Sequence, residues 1–509
     1  MNISKILTEA SKKYPHKVAI YDEDKEISYE NLENDVNKIS NNLLKLNVKI
    51  GDIICIMLEN NLNFIKMYFA ISRIGGIIIP INPMCKKQEI NYILNNSNAR
   101  IIIINENKIN LMEELLKANP SIKLTIITEK FFSNKYTNIN ELMQNSIHNY
   151  NLDFNFKSNE IAQCIYTSGT TRKPKGVLLS HSNLIFDCSR CVERVKFNDS
   201  DKHIAILPFF HSFGIMSTIL TPIYSGGSII LISKFNPEAM VSEIKNKRAT
   251  ILSAVPSILN FLLNYIDNKN IKCDFNSLRL IISGGGPLNK QINFEYKKRY
   301  NLNIIEGNGP TETSPVSYIN PPNHPKMGSV GLPLRDVKIK IVDEKDQKLP
   351  IGKVGEICIK GPNVMMGYLN DQESTLEAIK DNWYHTGDLG KIDGDGYIFI
   401  VGRKKDLILV GEMNVYPEEI EDCINSHSNV LESAVIGVAN NKYGQIPIAF
   451  VKVLKKNITN ENDILMYCFK RLSNYKCPQK VIFVDDIPKN VMGKIDKKQL
   501  FESYKFKLI

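Results

Sequence analysis

The residues in this 509-residue sequence best suited to chemistry lie at 166–176, YTSGTTRKPKG. Gly169 and Gly176 let the backbone curve tightly, and the hydroxyls of Thr167, Ser168, Thr170 and Thr171 are hydrogen-bond donors. Lys173 and Lys175 bring positive charge to the same turn. Donors and cations at this density suit a polyphosphate. The segment is not a Walker loop, because GxxxxGK[ST] cannot be fitted to it. A solvent-exposed, hydroxyl-rich turn uses the same residues, and residue types alone leave both readings open. Cys188 and Cys191 form a CxxC with His181 upstream, but no compact second pair completes a tetrahedral zinc site, so both cysteines are expected as spectators on a helix. Neither a GxSxG elbow nor an HExxH helix occurs, so hydrolase chemistry of those kinds gains no support.

The elements that must carry this loop have an α/β rhythm. The loop follows the apolar IAQCI and precedes VLLSHSNL. Before it, polar/apolar periodic segments such as YENLENDVNKISNNLLK read as helices, and short β-branched runs such as DIICIML and ARIIIIN read as central strands. The pattern recurs after residue 201 as HIAILP, GSIILIS, ATILSAV and LRLIISGG, predicting a mixed or largely parallel sheet flanked by helices. After residue 325 the segments VKIKIVDEKDQKLP, GEICIKG and GYIFIVG alternate short strands with charged or glycine-rich turns, predicting a β-rich lobe. The last hundred or so residues supply a helix, PEEIEDCINSH, and the strands ESAVIGVAN and PIAFVKVL. The predicted fold is therefore α/β: a large multi-layer N-terminal domain, 1–404, with mixed sheets and a β-rich lobe, and a small α+β C-terminal domain, 405–509.

Composition bounds the reading. With 43% hydrophobic, 8% aromatic and 23% charged residues, the chain can fill a large core, which excludes a mainly disordered chain or a small stapled scaffold. Its length suggests two to four folded units at roughly one per 150 residues. The net charge of +10 permits an anionic ligand without demanding nucleic acid, since lysine, asparagine and isoleucine are abundant throughout. Ten cysteines scattered along the chain and an N-terminus without a signal-like apolar stretch predict a reduced, cytoplasmic setting. The apolar runs at 77–80 and 101–104 are far shorter than the roughly 20 residues of a membrane span, and read as buried strands.

The ordered motifs closely resemble the AMP-binding, adenylate-forming superfamily, most of all its acyl-CoA synthetases. Beyond YTSGTTRKPKG, the resemblance runs through PFFHSFG, ISGGGPL, GPTE and GEICIKGPNVMMGYLND. It continues in YHTGDL, GRKKDLI, NVYPEEIE and PKNVMGK, covering nearly the whole chain. It implies that Thr167, Ser168, Gly169, Thr170, Thr171 and Lys175 surround the ATP phosphates, and that Glu312, with Thr311, meets Mg2+. It further implies that Gly284, Gly285, Gly286 and Asn308 line the adenine side, that Asp388 holds the ribose, and that Arg403 reaches the ribose or α-phosphate. His211 resembles the wall between nucleotide and acid, Lys405 the hinge of a mobile C-terminal lid, and Lys494 the catalytic lysine which that lid delivers. Two positions depart from the family: Arg172 replaces a usual glycine, and Asn308 a usual aromatic.

The implied activity is ATP-dependent activation of a carboxylic acid through an acyl-adenylate, followed by transfer to the thiol of coenzyme A. Apolar residues in 209–223 and the loops near Gly286 and Glu306 favour a medium- or long-chain fatty acid, with an aromatic acid as the other candidate. Loading of an acyl carrier protein is the main alternative. Arg172 and Asn308 motivate a third, a noncatalytic nucleotide- or acyl-adenylate-binding protein, against which stand Glu312, Asp388, Arg403 and Lys494. A monomer or a homodimer is expected, with no nucleic-acid partner.

Overall fold

The computed structural model describes residues 2–128, 135–144, 157, 159–167, 173–271, 273–411, 413–440, 442–455, 458–489 and 495–508. Ser168, Gly169, Thr170, Thr171, Arg172 and Lys494 lie outside the described residues. The helices form where the sequence is both amphipathic and capped. Tyr29–Lys45 buries Leu32, Val36, Ile39 and Leu43 along one stripe, and the Ser28 side chain accepts a hydrogen bond from the Asn31 amide at its start.

Among the described residues the strands form four sheets. One runs in the order Gly367–Tyr368, Lys175–Ser180, Ile161–Thr167, Ile77–Pro80, Ile53–Met57, Ile101–Ile104, Leu124–Ile127 and Thr137–Asn138. Its central strands are parallel and isoleucine-rich because both faces are covered. The pleat divides them between two cores: Ile54, Ile56, Ile78 and Ile101 face one, and Cys55, Met57, Ile79 and Ile102 face the other. A second large sheet is built around Lys202–Ala205, Ser228–Leu231, Ile251–Ala254, Leu280–Ser283 and Ile304–Asn308, again parallel. Ala205, Ile229 and Leu231 reach the same core as Ile54 and Ile56, so one apolar layer joins the two sheets.

The β-rich lobe is antiparallel: Lys338–Val342, Gly355–Lys360, Trp383–Ile392 and Ile398–Arg403 pair in that order, with Ile379–Lys380 beside the third. Its inward residues Ile341, Ile357, Ile359 and Ile398 share a core with Leu280 and Ile282 of the second sheet. The fourth sheet contains only strands from Ile408 onward and encloses its own apolar clusters around Val435, Ala449 and Phe450. The architecture is thus the mixed α/β one that the sequence predicts, with a large multi-sheet body, a β-rich lobe and a smaller C-terminal unit. Among the described residues no helix is long and apolar enough to cross a membrane.

Candidate active site

The hairpin carrying the glycine- and hydroxyl-rich turn is anchored by strand pairing. Ile161–Thr167 runs antiparallel to Lys175–Ser180, so Thr167 stands opposite Lys175 at the turn's base. On its far side Lys175–Ser180 pairs with Gly367–Tyr368, and the Leu369 amide donates to the Gly176 carbonyl at 2.7 Å. Lys175 Nζ donates to Ser374 Oγ at 2.6 Å and lies 5.1 Å from the centre of the Tyr368 ring. Lys173 sits over Tyr92, whose hydroxyl donates to the Pro174 carbonyl at 3.1 Å. The stem therefore holds its cations by aromatic faces and one hydroxyl, leaving the turn between them to be positioned.

Tyr368 connects this stem to the carboxylate. Its hydroxyl donates to Glu312 Oε1 at 2.9 Å. Glu312 lies in the short turn of helix Thr311–Thr313, whose Thr311 hydroxyl is 3.1 Å from the Ser212 hydroxyl. Burial pushes the Glu312 carboxyl above its ordinary range and Asp388 adds to that, while the Tyr368 hydroxyl and Arg403 oppose it. Sequence reading gave Tyr368 no role, although it lies in the quoted GYLND segment. Its partner is 56 residues away in sequence and becomes its neighbour only through strand pairing.

Asp388 and Arg403 face one another across neighbouring strands, with Arg403 Nε 3.2 Å from Asp388 Oδ1. Asp388 is buried and Arg403 half-exposed, so one member is fixed and the other reaches out. The preceding Gly387 takes a positive φ of 70°, and its amide donates to Glu356 Oε1 at 3.1 Å. Lys405 follows in the exposed turn Lys404–Asp406, immediately after the strand bearing Arg403.

A cleft opens beside the turn carrying Thr311 and Glu312, lined by His211, Phe213, Gly284, Gly285, Asn308 and Thr311 among others. His211 caps helix Ser212–Ile215, its Nδ1 accepting from the Phe213 amide at 3.2 Å. Gly284 is needed for close approach: a Cβ there would lie 3.1 Å from the Gly307 carbonyl and 3.2 Å from the Phe213 ring. Gly285 takes φ 79°, whereas Gly286 faces open space and does not line the cleft. The Asn308 side chain accepts from the Gly309 amide at 2.8 Å, so it braces its own turn. Glu306, behind the cleft, is pushed up to about 7 by burial. Apolar residues of 209–223 largely leave the cleft: Phe209, Ile215, Met216, Ile219 and Leu220 belong to the core between the two large sheets.

The structure brings together Thr311, Glu312, Asp388, Arg403, His211, Asn308, Gly284 and Gly285, with Thr167 and Lys175 at the adjoining stem. Oxygen donors from Thr311 and Glu312, one a buried hydroxyl and the other a partly buried carboxylate, fit a hard cation such as Mg2+.

Residues 7–369 match the family model described as AMP-binding enzyme, and residues 419–494 match AMP-binding enzyme C-terminal domain. The chain is 33% identical to a long-chain-fatty-acid–CoA ligase of Salmonella typhimurium, covering 89% of this chain and 86% of that protein. It is 30% identical to a 2-succinylbenzoate–CoA ligase of Bacillus cytotoxicus, covering 96% and 95% respectively. Its fold superposes on ATP-bound MatB from Rhodopseudomonas palustris with a TM-score of 0.91, at 30% identity over 100% of both chains.

Proposed function

Because the chain belongs to the AMP-binding enzyme family, we propose that it activates a carboxylic acid with ATP as an acyl-adenylate and passes the acyl group to coenzyme A. The observation carrying this reading is the clustering of Glu312, Asp388 and Arg403, which Tyr368 ties to Lys175 at the hairpin stem. In the first half-reaction an acid oxygen attacks the α-phosphorus of ATP, and pyrophosphate leaves. In the second, the coenzyme A sulfur attacks the acyl carbonyl, AMP leaves, and the thiol proton is released.

The protein's work is alignment and charge control. Asp388 accepts hydrogen bonds from the ribose hydroxyls, and Arg403 offsets charge on the ribose and α-phosphate side. Residues 167–171 with Lys175 gather the β- and γ-phosphates. Thr311 and Glu312 hold Mg2+, which when bound supplies charge neutralisation to the leaving pyrophosphate. His211 and Phe213 separate nucleotide from acid. Lys494, delivered by a C-terminal unit turning about Lys405, stabilises charge growing on the α-phosphoryl oxygens.

For the acid we propose a medium- or long-chain fatty acid. The cleft walls include Phe213, Ile282, Val316 and Ile319, an apolar lining that favours an aliphatic acid. The Phe213 ring in the cleft wall supports an aromatic acid as the second reading. ATP–pyrophosphate exchange across fatty, aromatic and amino acids, followed by mass analysis of products with coenzyme A or a carrier protein, tests all of this. Exchange with C8–C18 acids and an acyl-CoA product are expected. Acyl transfer to a carrier protein alone overturns the coenzyme A assignment, and nucleotide binding without exchange overturns catalysis. Lys494→Ala is expected to reduce exchange at least about 100-fold while sparing thioester formation from supplied adenylate, as loss of one charge-stabilising group in one step requires.

A further inference from the structure

The outer face of the β-rich lobe carries a cluster that the proposed reaction does not use. The pleat sends Ile339, Ile341, Ile357 and Ile359 toward the core, so Lys340, Glu356, Cys358 and Lys360 project from the opposite face. Across the ladder, Lys340 stands opposite Cys358, and Cys358 opposite His385. Directly opposed residues are near enough for their side chains to meet. Cys358 Sγ is 3.4 Å from His385 Nδ1. Asp346, in the turn joining the first two strands, brings Oδ2 to 3.7 Å from His385 Nε2.

We infer that Asp346, Cys358 and His385 form a binding site for a thiolate-accepting divalent cation, with Zn2+ the best match. Their ligand atoms all lie within 4.8 Å of one another. A metal at His385 Nε2 sits between it and Asp346: Zn–N and Zn–O bonds at a tetrahedral angle separate nitrogen and oxygen by about 3.4 Å, close to the 3.7 Å already present. The side chain of His385 is only 9% exposed, yet its Nε2 has no hydrogen-bond partner. A buried donor or acceptor left unmade is costly, and coordination or a tightened contact with Asp346 relieves it. Glu356, whose Oε2 is 3.6 Å from His385 Nδ1, stands at the other ring nitrogen, where a carboxylate orients the imidazole for coordination through Nε2. Sulfur, imidazole and carboxylate together select zinc-like ions over Mg2+ or Ca2+.

The charged and titratable groups facing the thiol are His385, Glu356, Asp346, Lys340 and Lys404. Burial, reinforced by Glu356 and Asp346, pushes Cys358 up to about 12, so the metal-free residue is a thiol at neutral pH. Binding must release its proton.

The test uses the full-length protein stripped of metal, titrated with Zn2+ against a chromogenic chelator and separately with Co2+. One equivalent is expected to bind, and Co2+ should give a thiolate-to-metal charge-transfer band. Cys358→Ser should abolish that band, and Asp346→Asn, at an exposed turn, should weaken Zn2+ about tenfold or more without requiring any core residue to change. No binding by the parent protein, an unchanged band in Cys358→Ser, or unchanged affinity in Asp346→Asn would overturn the assignment. In the first case the pair is a thiol–imidazole hydrogen bond and nothing more.

Discussion

The hydroxyl of Tyr368 favours the ionised form of Glu312, because it donates a stronger hydrogen bond to a carboxylate than to a protonated carboxyl. Burial holds that carboxyl above its ordinary range, so on lowering the pH it takes up its proton earlier than an exposed glutamate. Cation binding needs the ionised form, and activity should fall on the acid side as Glu312 protonates. Tyr368→Phe removes one opposing influence and is expected to move the acid limb of ATP–pyrophosphate exchange up by about one pH unit, the worth of a hydrogen bond to a charged group. An unmoved limb would mean that another group titrates. At Asn308 the expectation is a gain: Asn308→Tyr supplies a ring at the cleft wall and should lower the KM for ATP two- to tenfold, as an aromatic contact of about 0.5–1.5 kcal/mol allows. Glu312, Asp388 and Arg403 were open to proposal from the sequence because each sits in a short motif that resembles the family's. Tyr368 and Ser374 were not, since their roles arise from contacts with Glu312 and Lys175 across 56 and 199 residues of chain.

The elements were legible where their pattern is one-dimensional. Tyr29–Lys45 coincides with the helix read from YENLENDVNKISNNLLK, and the runs at 77–80 and 101–104 are buried parallel strands. The segment 209–223 was less readable, because apolar residues at a core and at a cleft look alike in sequence; most of these fill the layer between the large sheets. That packing makes Gly214 critical. A Cβ there would collide with the Pro208 carbonyl, and the Thr218 hydroxyl donates to the Gly214 carbonyl at 2.6 Å. Gly214→Ala is therefore expected to destabilise the protein by about 1–3 kcal/mol and to displace the helix that begins at His211. A lowered midpoint in thermal unfolding, together with a raised KM for ATP, is the expected pair of results; an unchanged midpoint would show that the loop yields freely.

At the scale of the molecule, the junction between body and C-terminal unit is built from ionisable groups. Glu418, on helix Pro417–Asn425, packs against Gly402, where any side chain would collide with it. Lys497 Nζ lies 2.8 Å from Glu421 Oε1, and both face Glu418 together with Asp406. Burial pushes Glu418 up to about 7. The docked junction thus keeps a proton that an exposed glutamate would release near its ordinary value of about 4.3. Docking is favoured in acid, weakens as pH rises from about 4.5 to about 7, and is level beyond. Glu418→Gln should remove this dependence and increase the docked fraction at pH 8 about tenfold, read by fluorescence transfer between labels on the two units. Identical pH profiles in the parent and the variant would exclude Glu418 as the linked group. A separate C-terminal unit was readable from its run of strands and helix, but this junction was not, since Gly402 of the body and Glu418 of the C-terminal unit meet across it and Lys497 reaches Glu418 from 79 residues on.

The strand Trp383–Ile392 has a practical consequence. It carries the single tryptophan of the sequence, set 5.0 Å and 5.9 Å from Lys340 and Lys360. Two residues on is His385, and five on is Asp388. Indole emission responds to nearby charge, so this strand contains an intrinsic optical probe near both the proposed metal site at His385 and the proposed ribose contact at Asp388. One fluorescence titration can follow both sites without any introduced label.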